Sequence, residues 1–233
     1  MNRQSEMTKK EMRSLILKMI IRFSLMPLCM GLFIYLPAGS LKYWQAHTYL
    51  ASLLIPMIFV LMYFLKRDPR FLERRTHIKE KEKHQTLIVS LSTIIFLAAY
   101  LIPGLDKRFG WSHVPIGIVV AADGMNLLGY TLIFFVFKQN SYASRVVEID
   151  KDQKVISTGL YGIVRHPMYL GVLIMFLPMP LALGSYWGLV PVAILPMIIV
   201  QRIINEEKIL KSKLTGYVEY CQKVRHRLIP LLW

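Results

Sequence analysis

The sequence predicts an all-α, polytopic membrane protein with about six transmembrane spans, the last two forming a helical hairpin, followed by a cytoplasmic helix near the C-terminus. Hydrophobic residues make up 55% of the 233 residues, and the mean hydropathy is +0.43. Apolar runs of about twenty residues, the length that crosses the hydrocarbon core of a bilayer, recur along the chain. Together these observations exclude an ordinary soluble domain.

Four apolar runs occupy the first part of the chain, at roughly 15–37, 48–65, 86–105 and 114–137. A fifth apolar stretch, 169–204, is too long for one span. It is interrupted by Pro178, Pro180, Gly184, Pro191 and Pro196. Because backbone groups in lipid must be hydrogen-bonded within helices, we expect two short helices that turn near residues 184–186. This divides the chain into N-terminal spans, residues 1–137, and a region 138–233 that carries the polar motifs.

Charge predicts the orientation of the spans. Of 29 Lys and Arg residues, 26 fall on one side of the six-span arrangement, and only Lys42, Lys107 and Arg108 fall on the other. Basic loops stay in the cytoplasm, so we expect both termini there, and the plasma membrane as the location if the organism is a prokaryote. The net charge of +15 is explained by this bias and by contact with anionic membrane lipids; it gives no reason to expect nucleic acid as a partner.

Several other kinds of site are not indicated. Cys29 and Cys221 suggest neither a disulfide framework nor a metal site, the six histidines lack ligand spacing, and no GxGxxG or P-loop is present. Asp123 and Asn126 lie in the fourth span, where polar groups are costly. They indicate either a polar partner or water-filled cavity, or a close helix contact at neighbouring glycines with Asp123 hydrogen-bonded or neutralised.

The first polar motif lies at the entrance to the hairpin. Arg165 and His166 precede Pro167, and proline suits the first turn of a helix because its missing N–H would have no partner there. Free backbone N–H groups at such an end attract a carboxylate or phosphate, and a guanidinium suits a carboxylate. A structural interpretation stays open, with Arg165 as a headgroup anchor and Tyr169 as a residue of the aromatic belt.

The second polar motif follows the last apolar stretch. On a helix, Arg202, Asn205 and Glu206 share one face, whereas Glu207 lies roughly 140° around from Arg202. The acids could form ordinary helix pairs with nearby basic residues. That interpretation does not explain acids at the membrane border of a strongly basic face, so we expect the two motifs to close on each other.

Together these motifs resemble a known family. The stretches are Gly159-x-Tyr161, Val164 through Gly171, Glu206-Glu207, Gly216-Tyr217-x-x-Tyr220 and Leu228-Ile229-Pro230. This combination is similar to the isoprenylcysteine carboxyl methyltransferases and their phospholipid methyltransferase relatives, which are integral membrane enzymes that use S-adenosylmethionine. The resemblance covers about the last ninety residues, perceptible from Asn140 and Ser144 onward, and implies that region 138–233 is catalytic.

The resemblance also implies roles for particular residues. The mouth of the cofactor site or active site would be lined by Arg165, His166, Tyr169 and Gly171. The adenine would stack on Tyr161 or Tyr169, and Tyr220 would also bind the cofactor. The acidic side of the site would be formed by Glu206 and Glu207. Arg202 and Glu207 would match an arginine–glutamate pair near the acceptor, with Arg202 or Arg165 holding an acceptor carboxylate.

The expected reaction is methyl transfer to a lipophilic or lipidated acceptor. A carboxylate of the isoprenylcysteine type is already ionised and needs no base, so positioning and water exclusion suffice. A phospholipid amine or a thiol would require a base such as Glu207 or His166. Membrane sterol-type reductases, which use NADPH, have a related Arg-His-Pro motif, but Met168 and Val172 differ from their pattern. A non-catalytic protein that kept the fold is the third possibility.

Overall fold

The computed structural model describes residues 8–76, 83–142 and 153–233. Within these ranges the chain is helical and contains no strand. The helices are α1 (Lys9–Ala38), α2 (Trp44–Arg67), α3 (Pro69–Arg74), α4 (Lys83–Phe109), α5 (Ile116–Gln139), a 3₁₀ turn (Gly159–Gly162), α6 (Pro167–Phe176), α7 (Met179–Ala182), α8 (Leu189–Val192), α9 (Leu195–Lys213) and α10 (Tyr217–Lys223).

The membrane architecture predicted from composition is confirmed, with one correction to the hairpin. Five helical segments of the described residues are long and apolar enough to cross a bilayer: α1, α2, α5, the part of α4 from Leu87, and the continuous segment Leu189–Lys213. The first arm of the hairpin, Pro167–Ala182, is shorter and would extend about 24 Å, against a hydrocarbon core of about 30 Å. We expected two short arms, but only this one is short.

The second arm is long because its prolines lie where helices begin. Pro196 occupies the first turn of α9, where proline costs no hydrogen bond, so the helix continues uninterrupted to Lys213. It therefore carries Arg202 and Glu206 on the same rigid element as the apolar span.

The hairpin turns where the sequence predicts, at the end of the bundle opposite the polar motifs. Gly184 adopts a left-handed conformation, φ +73°. The turn is held against α4 by the buried carboxylate of Asp106, which accepts hydrogen bonds from the hydroxyls of Ser185 and Ser112. Tyr43 donates to the carbonyl of Leu183. These bonds fix the depth of the hairpin between α4 and α5.

The contact between α5 and α6 is unusually close because glycines face each other across it. A Cβ placed on Gly129 would lie 2.7 Å from the carbonyl oxygen of Gly171, and one placed on Gly171 would lie 2.7 Å from Ile133 Cγ1. Gly171, expected at the mouth of the site, therefore serves in helix packing one turn below it. The same contact fixes α6 against α5 and so positions the residues at its entrance.

The intramembrane polar residues are hydrogen-bonded between α2 and α5. Asn126 Nδ2 donates to Ser52 Oγ at 2.7 Å, and Ser52 Oγ donates to Asp123 Oδ1 at 3.2 Å. Asp123 and Asn126 therefore have a polar partner on α2, whereas the close glycine contact of α5 lies at Gly129, against α6. Gly124 takes no part in the contact, since a Cβ there would meet nothing within 4 Å.

Candidate active site

The two polar motifs meet at one end of the bundle. His166 caps α6, and Pro167 occupies its first position, as predicted. The backbone N–H groups of Arg165 and His166 donate to the carbonyls of His226 and Arg227, at 3.0 and 2.8 Å. These two bonds bring the chain beyond α10 back to the entrance of α6. The predicted meeting of distant motifs therefore includes a third segment, around residues 226–227.

A cleft opens between α6, α9, α10 and the residues before the 3₁₀ turn. It contains about 870 Å³ of space not filled by protein atoms, part of it open to solvent. The described residues that line it are Asn140, Tyr142, Gln153, Lys154, Val155, Ile156, Tyr161, Arg165, His166, Pro167, Met168, Tyr169, Arg202, Glu206, Leu210, Leu214, Tyr217 and Tyr220. Seven of the nine expected site residues are in this set; Gly171 and Glu207 are not.

Tyr169 joins the two helices within the cleft. Its hydroxyl donates to Glu206 Oε2 at 2.6 Å and accepts from Arg202 Nε at 2.9 Å. The three side chains form a continuous polar chain across the α6–α9 contact. Because each partner restricts the others' rotamers, the carboxylate and the guanidinium have defined positions in the cleft wall.

Glu207 lies behind that wall, where its buried carboxylate is surrounded by Arg165, His166 and Arg227. Arg165 Nε lies 3.1 Å and His166 Nε2 3.4 Å from Glu207 Oε1, and Arg227 Nε donates to Oε2 at 3.1 Å. The Arg165 and His166 contacts are within ion-pair distance but are not aligned as hydrogen bonds. We expected Glu207 to lie beside the acceptor, paired with Arg202. Its carboxylate instead contacts Arg165, His166 and Arg227, the residues at which the chain beyond α10 meets the entrance of α6.

The 3₁₀ turn is fixed by hydrogen bonds at both ends of Tyr161. Asn140 Nδ2 donates to the phenol oxygen at 2.9 Å, and Tyr220 Oη donates to the backbone carbonyl at 2.7 Å. Burial raises the pKa of Tyr161 to about 12. The phenol is therefore neutral at physiological pH, and Tyr161 contributes an aromatic surface to the cleft.

Tyr217 was not among the expected site residues, although it belongs to the motif that contains Tyr220. Its side chain is buried and lines the cleft, and its hydroxyl has no hydrogen-bond partner among the described residues. Arg227 was also missed as a functional residue. Its place next to Leu228-Ile229-Pro230 was visible in the sequence, but its contact with Glu207 depends on the return of the chain.

Residues 117–215 match the sequence model of the phospholipid methyltransferase family. The matched region begins with α5 and contains the polar residues of α6 and α9, whereas α1 to α4, Tyr217 and Arg227 lie outside it. Such a family implies methyl transfer to lipid-type substrates with S-adenosylmethionine as donor. The matched family is part of the isoprenylcysteine and phospholipid methyltransferase superfamily.

Proposed function

We propose that this protein transfers a methyl group from S-adenosylmethionine to a lipophilic acceptor that enters from the bilayer. The observation that carries the proposal is the polar chain of Tyr169, Glu206 and Arg202. It lies in a cleft at the end of the membrane helices, within the region that matches a methyltransferase family. An acceptor anchored in lipid can present its head to such a cleft without leaving the membrane.

The residues present fit the donor. The unpartnered hydroxyl of Tyr217 leaves a buried polar atom for a ligand to satisfy. The carboxylate of Glu206 suits the ammonium of the methionine moiety. Tyr161 offers an aromatic surface for adenine, and Leu210 and Leu214 offer apolar contacts.

Catalysis by this chain would rest on position rather than on proton transfer. When bound, S-adenosylmethionine supplies a methyl group carried on a positively charged sulfur. Tyr169 fixes the positions of the Glu206 and Arg202 side chains in the cleft wall through its two hydrogen bonds. The apolar residues of α9 would exclude water from the reacting groups.

The residues that line the cleft suit a carboxylate acceptor best, such as the carboxylate of an isoprenylcysteine. Arg202 offers a guanidinium at the membrane side of the cleft, and a carboxylate needs no base. Burial raises the pKa of Tyr161, Tyr217 and Tyr220 above the usual tyrosine value, so these phenols stay protonated at neutral pH and no phenolate is present to accept a proton. His166 is engaged with Glu207.

A phospholipid amine is the second candidate, favoured by the family match. It would require Glu206 to accept a proton, because this is the carboxylate that lines the described part of the cleft. The two acceptors give chemically different products, since a methyl ester is cleaved by alkali and a methylated amine is not.

The test uses the full chain in vesicles of defined lipids with S-adenosylmethionine labelled in its methyl group. We expect label in the lipid extract and formation of S-adenosylhomocysteine when an isoprenylcysteine analogue is supplied. Alkali should release the label as methanol; alkali-stable label in phosphatidylethanolamine would establish the amine acceptor instead. Vesicles without acceptor and the Tyr169→Phe variant are the controls.

Calorimetry with S-adenosylhomocysteine and with NADPH separates methyl transfer from the reductase alternative. We expect binding of S-adenosylhomocysteine, weakened by Glu206→Gln. Binding of NADPH alone would establish a reductase, and binding of neither would leave a non-catalytic membrane protein.

We also propose that both termini and the cleft face the cytoplasm, because Lys and Arg are concentrated at that end of the bundle. Single cysteines at Lys213 and at Lys42, in a chain without Cys29 and Cys221, test this in cells. A membrane-impermeant maleimide should label the Lys42 position and not the Lys213 position. Reversed labelling would place the cleft on the outer side.

A further inference from the structure

Beyond Arg227 the chain forms a compact apolar turn, residues 228–233, with the sequence Leu-Ile-Pro-Leu-Leu-Trp. Its backbone bonds are largely internal. The carbonyl oxygen of Ile229 accepts from the N–H groups of Leu232 and Trp233, at 3.2 and 3.1 Å. A main-chain oxygen of Trp233 accepts from the backbone N–H groups of Arg227, Leu228 and Ile229, at 2.9, 2.9 and 3.2 Å. Internal pairing of this kind is what a lipid environment demands.

One side of the apolar turn packs on the membrane hairpin. Leu228 is buried and Trp233 partly buried in a cluster that contains Leu173 of α6 and Ile199 of α9. Both helices belong to apolar segments of the bundle. The apolar turn therefore lies beside helices that are themselves surrounded by lipid.

Its other side displays two leucines. The side chains of Leu231 and Leu232 are 92% and 76% exposed. Among the described residues, Leu231 is the non-glycine residue whose φ is positive, +66°. That conformation is uncommon for a residue with a bulky side chain, and glycine would adopt it without strain. A leucine here gains nothing within the fold, whereas in a bilayer it would bury its whole side chain.

Basic residues precede the turn along the chain. Lys223 and Arg225 are exposed at the end of α10 and just after it. Positive charges beside an apolar insertion suit the boundary between anionic headgroups and acyl chains. The order along the chain, from basic residues to apolar turn, matches the order from headgroup to hydrocarbon.

We propose that the apolar turn inserts into the leaflet at the cleft end of the bundle, with Leu231 and Leu232 among the acyl chains. Its partner is the bilayer itself. Because the backbone of residues 226–227 is bonded to Arg165 and His166, insertion would anchor the returning chain at the membrane edge of the cleft. This inference does not depend on which reaction the cleft catalyses.

Spin labels test the proposal directly. Single cysteines replace Leu231 or Leu232 in the full chain carrying Cys29→Ala and Cys221→Ala, reconstituted in vesicles of equal parts phosphatidylcholine and phosphatidylglycerol. The collision rates with oxygen, which partitions into lipid, and with a water-soluble nickel chelate are then compared. Met197→Cys on α9, 71% exposed, is the lipid-facing reference, and Glu219→Cys on α10 is the water-facing one.

We expect both leucine positions to favour oxygen, as at Met197, and Glu219 to favour the nickel chelate. A preference for the nickel chelate at Leu231 and Leu232 would place the turn in water and overturn the proposal. Low collision rates with both reagents would mean that protein covers the turn; dipolar broadening between labels would then identify a second copy as the occupant. Two labelled positions keep the test decisive if one variant folds poorly.

Discussion

Arg165 Nε lies 3.1 Å from Glu207 Oε1, and the two side chains are only 6% and 4% exposed. The contact joins the entrance of α6 to the end of α9. Arg227, from the returning chain, reaches the other oxygen of the same carboxylate. A single buried acid therefore compensates positive charge from two separate segments, and its removal would leave these charges unpaired.

Replacing Glu207 with Gln should destabilise the fold by about 3 kcal/mol, the cost of leaving a buried charge without its partner. Denaturant titration of the detergent-solubilised protein measures this free energy of unfolding. Lys211→Gln is the control, because Lys211 lies 3.6 Å from Glu207 but is 43% exposed; it should cost about 0.5 kcal/mol or less. Equal losses in the two variants would contradict the buried cluster.

Replacing Tyr169 with Phe should lower kcat by up to about 100-fold, because the ring stays but Glu206 and Arg202 lose their common partner. Stability should change little. Methyl transfer under saturating donor and acceptor is the measurement. Tyr186→Phe, an exposed tyrosine at the opposite end of the bundle, should keep full activity; a similar loss there would remove the argument for a role of Tyr169.

Replacing Tyr217 with Phe should weaken binding of S-adenosylhomocysteine about fivefold, equivalent to about 1 kcal/mol, by removing one hydrogen bond to the ligand. Without ligand, the variant should be as stable as the natural protein or more stable, because an unpartnered buried hydroxyl is lost. Calorimetry and thermal unfolding check the two parts. Unchanged affinity would assign the Tyr217 hydroxyl no part in binding.

Replacing Gly129 with Ala should destabilise the protein by about 1–3 kcal/mol, because the new methyl group would meet backbone atoms of α6. Activity should fall as well, since α6 carries Tyr169. The matched control is Gly124→Ala on the same helix, where the methyl group meets open space; its stability should be unchanged or up to about 1 kcal/mol higher. Equal stability of both variants would show that α5 and α6 are not in close contact.

Stability should fall in alkali as tyrosines ionise in the unfolded chain. Unfolded tyrosine has a pKa of about 10, whereas burial raises the pKa of Tyr161 to about 12. The stabilising contribution of its neutral phenol is complete below pH 10 and is lost as the pH rises toward 12. Unfolding free energies across this range, with Tyr161→Phe as comparison, should show a shallower decline in the variant. Parallel curves would contradict the shift.

The pattern of the sequence predicted the helical membrane fold because the span of a bilayer sets the length of apolar runs directly. It also predicted the hairpin turn, since Gly184 can adopt a conformation that other residues resist. The relative lengths of the two arms were wrong, because prolines interrupt a helix or begin one depending on position, and Pro196 begins one.

For the cleft, the sequence supplied residue types and helix faces. Glu206 and Glu207 were expected to point in different directions from α9, because neighbouring residues are about 100° apart on a helix. Which of them faces the cleft could not be read from that angle. The position of α6 decides it: Tyr169 meets Glu206, and Arg165 meets Glu207.

Features that depend on local chemistry follow from the amino-acid order: the spans, the turn, the entrance of α6 and the residue types available for methyl transfer. Features that depend on contacts between distant segments follow only from the packing of the helices. Gly171 packs against Gly129, the Tyr217 hydroxyl is a candidate ligand-binding group, and Arg227 reaches Glu207 only because the chain returns to α6. Local patterns fix how a helix forms, but only packing fixes which of its faces meets which neighbour.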